Sequence, residues 1–181
     1  MQTYEVELRA FISKTQYTNL LKKFGSLSKG EQDNARTYTF VTSDINIKVK
    51  NLISRKKAKI TVKNGAEYRQ DVKETELEID PKNVLKAVEL VKAITGFKQF
   101  IPSFQKRINF MINGIAVSVK NDTHWKYHVE AEILVKNKKE IPAAKKKLRK
   151  FFEGYGLKPE SEKNLRKKIN HYISKYGFKK I

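Results

Sequence analysis

Along several stretches this chain alternates apolar residues with charged ones, and that alternation constrains its fold more than any other feature. In YEVELRAF (4–11), Glu5, Glu7 and Arg9 point one way while Val6, Leu8 and Ala10 point the other. INIKVK (45–50) sets Ile45, Ile47 and Val49 against Asn46, Lys48 and Lys50. KAKITVK (57–63) places Ile60 and Val62 opposite Lys59, Thr61 and Lys63, and VKETELEI (72–79) gathers Glu74, Glu76 and Glu78 on a common face. A period of two belongs to a β-strand, so each segment is expected to form a strand with one charged and one apolar face.

The apolar faces need a cover, and helical patterns supply it. Ser13 is placed to cap a helix through KTQYTNLLKKF, with Tyr17, Leu20, Leu21 and Phe24 at helical spacing and Gly25 as the expected stop. A polar loop follows, then a strand over ARTYTFV (35–41). Asn64-Gly65 signals a hairpin turn. Asp80 and Pro81 open a second helix, with an apolar stripe of Val84, Leu85, Val88, Val91 and Ile94 and an end near Gly96. Strands are expected over 97–112, interrupted at Pro102, over 114–119 after Asn113-Gly114, and over 125–135, where Glu130 and Glu132 share a face. Helices close the chain near 141–154 and 161–176. Roughly eight strands with helices grouped at the beginning, middle and end read as an α+β fold and not as an alternating βαβ sheet. The hairpin turns favour antiparallel pairing. A single domain over 1–181 is expected, with the C-terminal helices of 136–181 belonging to it. If the sheet closes into an eight-stranded β-barrel with helices packed outside, the charged faces line its interior.

The composition narrows the function. Hydrophobic residues make up 39% and charged residues 32%, the balance of a folded globule. With no cysteine, a disulfide framework, thiolate metal ligation and cysteine catalysis are excluded together. No stretch approaches the length of a membrane span, and MQTYEVELR is unlike a signal peptide, so a cytoplasmic protein with no membrane partner is expected. Thirty-nine Lys and Arg against 19 Asp and Glu give a formal charge of +20, a field that attracts small polyanions and nucleic acid. Part of this excess lies in KNKKEIPAAKKKLRKF (136–151) and NLRKKINHYISKYGFKK (164–180), which read as helix faces and a tail. No Gly-rich phosphate loop or zinc-ligand spacing is present, and no strand shows the stacked aromatics of an RNA-binding sheet.

Carboxylates in i, i+2 pairs on two strands can converge on a hard divalent cation, and Lys and Arg on other strands can clamp phosphate oxygens. At this point the motifs carry a resemblance. Glu5-Val6-Glu7-Leu8-Arg9 resembles the N-terminal Glu-x-Glu-x-Lys signature of the CYTH superfamily, the triphosphate tunnel metalloenzymes, with Arg9 where Lys is commoner. Thr61-Val62-Lys63 looks like the family's Thr-Leu-Lys strand, ETELE (74–78) like its following acidic strand, QKRINF (105–110) like its basic strand, and HVEAE (128–132) like the late strand ending in Glu-x-Glu.

The resemblance implies an eight-stranded antiparallel tunnel and a triphosphate ligand with Mg²⁺ or Mn²⁺. By position it implies Glu5, Glu7, Glu130 and Glu132 as metal-binding, catalytic carboxylates, and Arg9, Lys48, Lys50, Lys63 and Arg107 as phosphate ligands. It implies a triphosphatase acting on inorganic, nucleoside or thiamine triphosphate. A class IV adenylyl cyclase on the same scaffold, and a non-catalytic binder of polyphosphate or RNA, are the alternatives, and monomer and homodimer both stay open. Three positions depart from the family pattern: SVKND puts Lys120 where an acidic residue is usual, with Asp122 two residues later; Glu74 stands where Arg is expected, unless Lys73 or Arg69 substitutes; and Asn46 stands at the first basic position of its strand. Glu76 and Glu78 on the acidic strand, and His128 on the face of Glu130 and Glu132, complete the candidate set, His128 as a group for proton transfer. His124 reads as a loop residue.

Overall fold

The computed structural model describes residues 4–41, 45–64, 74–97 and 99–176. Gly65 of the expected turn, Arg69, Lys73 and the end of the basic terminal segment lie outside them. The chain forms two compact units, residues 1–33 with 106–161 and residues 34–105 with 162–181.

The first unit contains β1 (Tyr4–Phe11), α1 (Lys14–Leu27) and a two-residue β2 (Glu31–Gln32). It takes in the second part of β7 (Ile101–Ile112), then β8 (Ile115–Asp122), β9 (Lys126–Val135) and α3 (Ile141–Gly154). Its strands run β1-β9-β8-β7, with β2 beside β7. The alternation of β1 is realised residue by residue: Val6, Leu8 and Ala10 are buried, and Glu5, Glu7 and Arg9 face the other way, half-exposed. The apolar side packs with Val117, Val119, Val129 and Ala131 from β8 and β9, beneath Leu20 and Phe24 of α1 and Ala144, Leu148 and Phe152 of α3. α1 begins with a capping box, in which the Gln16 amide donates to Ser13 Oγ at 3.1 Å and the Ser13 amide donates to Gln16 Oε1 at 2.9 Å. It does not stop at Gly25 as expected. It runs on to Leu27, where the Ser28 amide donates to the Phe24 carbonyl at 2.9 Å, and an interior glycine costs the helix only about 1 kcal/mol.

The second unit contains β3 (Ala35–Val41), β4 (Ile45–Leu52), β5 (Lys57–Asn64), β6 (Glu74–Ile79), α2 (Val84–Thr95), the start of β7 and α4 (Glu162–Tyr176). Its strands run β7-β3-β4-β5-β6, all antiparallel. Their apolar side, with Phe40, Ile47, Val49 and Ala58, packs on Val84, Ala87, Val88 and Val91 of α2. Asp80 caps a single 3₁₀ turn ahead of α2, accepting from the Lys82 amide at 2.9 Å, and Gly96 ends α2 in the left-handed conformation at φ 72°. Two expectations fail here. Leu85 and Ile94 are 65% and 75% exposed, since the helix buries the narrower stripe through Ala87. Pro102 does not interrupt a strand: it lies inside β7, opposite Tyr38 of β3.

The fold class is α+β with antiparallel strands, as expected. The Asn113-Gly114 turn has φ of 50° and 72°, the values that a type I′ hairpin needs. No helix among the described residues is long and apolar enough to cross a membrane. Phe24 is fully buried, with ring centroids 5.7 Å from Phe110, 4.9 Å from Tyr155 and 6.1 Å from Phe151. Phe24→Ala is therefore expected to lower unfolding stability by about 3–5 kcal/mol, read from urea denaturation.

Candidate metal and phosphate site

β1 and β9 pair in a register that sets Glu7 opposite Glu132 and Arg9 opposite Glu130. Directly opposed residues share a face with their Cβ atoms about 5 Å apart, so the same register produces one like-charge pair and one ion pair. The like-charge pair gains a third member. Carboxylate oxygens of Glu5, Glu7 and Glu132 lie within 4.8 Å of one another. Burial, and next the charge of Glu7, push the Glu132 carboxyl above the usual range, while Arg107 and Lys120 pull the other way. A site that resists a third negative charge is one that a cation relieves. An all-oxygen donor set of this kind fits Mg²⁺ or Mn²⁺, so the residues present suit the group that the resemblance implies.

Glu130 stands apart from those three. Its Oε1 takes the Arg9 guanidinium at 2.6 Å and its Oε2 takes the Lys120 ammonium. Lys120 reaches it from β8, where it lies opposite His128, so the contact is a diagonal cross-strand one. Arg9 and Lys120 outweigh the burial of Glu130 and hold it ionised, well below the ordinary carboxylate range. Burial lowers Lys120, against the opposing pull of Glu130. Arg9 also donates to Glu7 Oε1 at 3.3 Å, which links the ion pair to the acidic trio.

His128 is 2% exposed, with Nδ1 3.1 Å from the Lys126 carbonyl and Nε2 3.6 Å from Glu130 Oε1. Burial is the main reason its imidazole is pushed down to about 3, with Arg9 and Lys120 adding to the effect and Glu130 opposing it. The ring is therefore neutral near pH 7. Asp122 belongs to a turn: its Oδ1 accepts from the amides of His124 and Trp125 at 2.8 and 3.1 Å, closing the β8–β9 connection.

Arg107 lies on the same unit in a network that the sequence did not reveal. Its Nε bonds Asn109 Oδ1 and lies 3.7 Å from Asp33 Oδ2, and Asn109 also accepts from Ser118 Oγ at 2.9 Å and donates to Asp33 at 3.3 Å. Asn109 follows Arg107 by two residues, and Ser118 precedes Lys120 by two, so both share the charged faces of their strands. That signal was readable. Asp33 sits in a polar loop with no periodicity, so nothing marked it.

On the second unit, Lys48 and Lys50 of β4 share a face with Lys59, Thr61 and Lys63 of β5, with Lys50 directly opposite Lys59 and Lys63 opposite Asn46. Opposed like charges destabilise a strand pair unless an anion joins them. Lys59 bonds Glu76, which also takes Thr61 Oγ1 at 3.4 Å. Glu78 meets Lys57 at 3.5 Å in a contact exposed on both sides, which contributes little.

The His128 shift carries a sign that can be tested. The imidazole stays neutral in the folded protein down to about pH 3, whereas the unfolded chain takes up the proton near 6.5. Across that window the unfolded state binds more protons, so stability falls as the pH falls. The depressed Glu130 acts in the same direction at the acid end. Thermal melts are expected to show Tm falling by several degrees from about pH 7 to about pH 5, with a flatter slope in His128→Gln.

The sequence matches no family model and no curated protein. Solved structures do match. A Pyrococcus horikoshii protein is 20% identical, with 86% of this chain and 94% of that one covered at a TM-score of 0.71. A Vibrio parahaemolyticus protein described as a candidate adenylate cyclase is 12% identical, with 89% and 95% covered at 0.67. A candidate adenylyl cyclase of Hippeastrum, described as having a dominant triphosphatase activity, is 14% identical, with 88% and 90% covered at 0.58. By structural likeness this chain shares the fold of these solved proteins, in agreement with the fold that the resemblance at Glu5-x-Glu7 and Glu130-x-Glu132 implies.

Proposed function

We propose that this protein is a divalent-metal-dependent phosphohydrolase acting on a triphosphate. The observation that carries the reading is the convergence of Glu5, Glu7 and Glu132 within 4.8 Å, next to the cations Arg9 and Lys120. Glu5, Glu7 and Glu132 would hold Mg²⁺ or Mn²⁺. Bound there, the cation supplies Lewis-acid polarisation of a phosphoryl oxygen.

The chain's own groups do the rest. Arg9 fixes Glu7 and Glu130 in place through its guanidinium. Arg107, steadied by Asn109 and Asp33, offers a planar fork suited to phosphate oxygens. Lys48, Lys50 and Lys63 suit phosphate as point charges. Glu132 can bind a proton or a cation but not both together, so cation affinity rises with pH as that proton leaves. The likeness to a Hippeastrum protein with triphosphatase activity agrees with this reading.

A second reading, binding of polyphosphate or RNA without turnover, draws on Glu130, which is neutralised by Arg9 and Lys120 and so unlike a free catalytic carboxylate. Phosphate release from tripolyphosphate, ATP and thiamine triphosphate with Mg²⁺ or Mn²⁺ separates the two. Turnover is expected with at least one substrate, falling on the order of 100-fold in Glu5→Ala and Glu7→Ala. Salt-sensitive binding that persists without metal, with no release from any substrate, would establish the binder instead. Cyclic AMP in the ATP reactions would identify a cyclase. Lys50→Ala and Lys63→Ala are expected to raise KM by about tenfold with a smaller change in kcat, measured on whichever triphosphate is turned over.

A further inference from the structure

Four carboxylates share the charged faces of β1 and β9, yet they do not form one set. Glu5, Glu7 and Glu132 turn their oxygens toward a common point, while both oxygens of Glu130 are taken, one by Arg9 and one by Lys120. Lys120 is 6% exposed, and its ammonium is delivered to Glu130 by the diagonal placement of β8 against β9. A metal ion at Glu130 would have to sit beside the ammonium of buried Lys120 and the guanidinium of half-buried Arg9, a like-charge arrangement that is penalised heavily away from water.

We propose that Lys120 is a built-in cation: with Arg9 it withdraws Glu130 from metal ligation, so that the protein binds one divalent cation per chain, at Glu5, Glu7 and Glu132, and no second. The inference rests on the metal-binding reading given above and specifies its stoichiometry and the role of one residue. Glu130 is then a positioning residue. It anchors Arg9, which in turn contacts Glu7, and this couples the ion pair to the ligand set without any contact between Glu130 and the metal.

The test counts Mn²⁺ in the full-length protein by equilibrium dialysis, with free Mn²⁺ read from its electron paramagnetic resonance signal and no substrate present. One ion per wild-type chain is expected, and Glu132→Gln is expected to abolish that binding. Removing one member of a buried ion pair can unfold a protein, so the pair is removed together as Lys120→Met/Glu130→Gln, with folding checked by circular dichroism. The double variant is expected to keep one ion, with its Kd within about tenfold of wild type, the range for a group outside the metal's own ligands. Two ions per wild-type chain would overturn the inference and leave the metal-binding reading standing. No ion at all would overturn both. One ion in the wild type but none in a folded double variant would make Glu130 a ligand and overturn the role given to Lys120.

Discussion

The antiparallel register of β1 against β9 is the constraint on which the rest of the site depends. It places Arg9 across from Glu130 and Glu7 across from Glu132, so an ion pair and a like-charge pair lie side by side on one face. A slip of one residue would send every charge into the core and every valine into solvent. A slip of two would keep the faces but break both pairs. The register is pinned on the opposite side of the strands, where Val6, Leu8 and Ala10 pack with Val129 and Ala131 under α1 and α3. The hydrophobic effect thus sets the position of charges it never touches.

The two halves of that face resolve the same electrostatic difficulty in different ways. Glu130 is deeply buried, and removing a carboxylate from water costs several kcal/mol unless partners replace the solvent. Arg9 and Lys120 do so from within the chain. Glu132 is pressed by its burial and next by the charge of Glu7, which is why its carboxyl holds its proton more tightly than usual. One half is finished when the chain folds. The other keeps the Glu132 carboxyl inclined to hold a proton, which makes it the half where a cation from solution would be stabilising.

Much of this was legible in the sequence, and the reasons are specific. Strict alternation from Tyr4 to Phe11 permits one strand and one choice of faces, and Ser13 with Gln16 announces the helix that follows. Gly25 and Pro102 were misread because each was judged on local propensity. Gly25 is tolerated inside a helix whose backbone bonding continues to the Ser28 amide, and Pro102 is accommodated within β7 opposite Tyr38. The site was legible in its membership and not in its pairing. Glu130 and Glu132 look equivalent in HVEAE, and only the strands on either side of β9 distinguish them. β1 brings Arg9 to one and Glu7 to the other, and β8 adds Lys120. Pairing across strands far apart in sequence is the information a single chain of letters withholds, and Asp33, which joins Arg107 from a loop, was hidden for the same reason.

The fold does not by itself decide between catalysis and binding, since one fold can carry unrelated functions. The decision falls to local electrostatics. A face built to bind anions passively needs positive charge and gains nothing from carboxylates held within 4.8 Å of each other, because their repulsion weakens both the fold and the attraction for phosphate. Glu5, Glu7 and Glu132 together are costly in a purely basic binder and useful in a protein that recruits a cation to its substrate. In a chain of net charge +20, where lysine and arginine outnumber acidic residues 39 to 19, these three carboxylates are the charges that the proposed cation would offset.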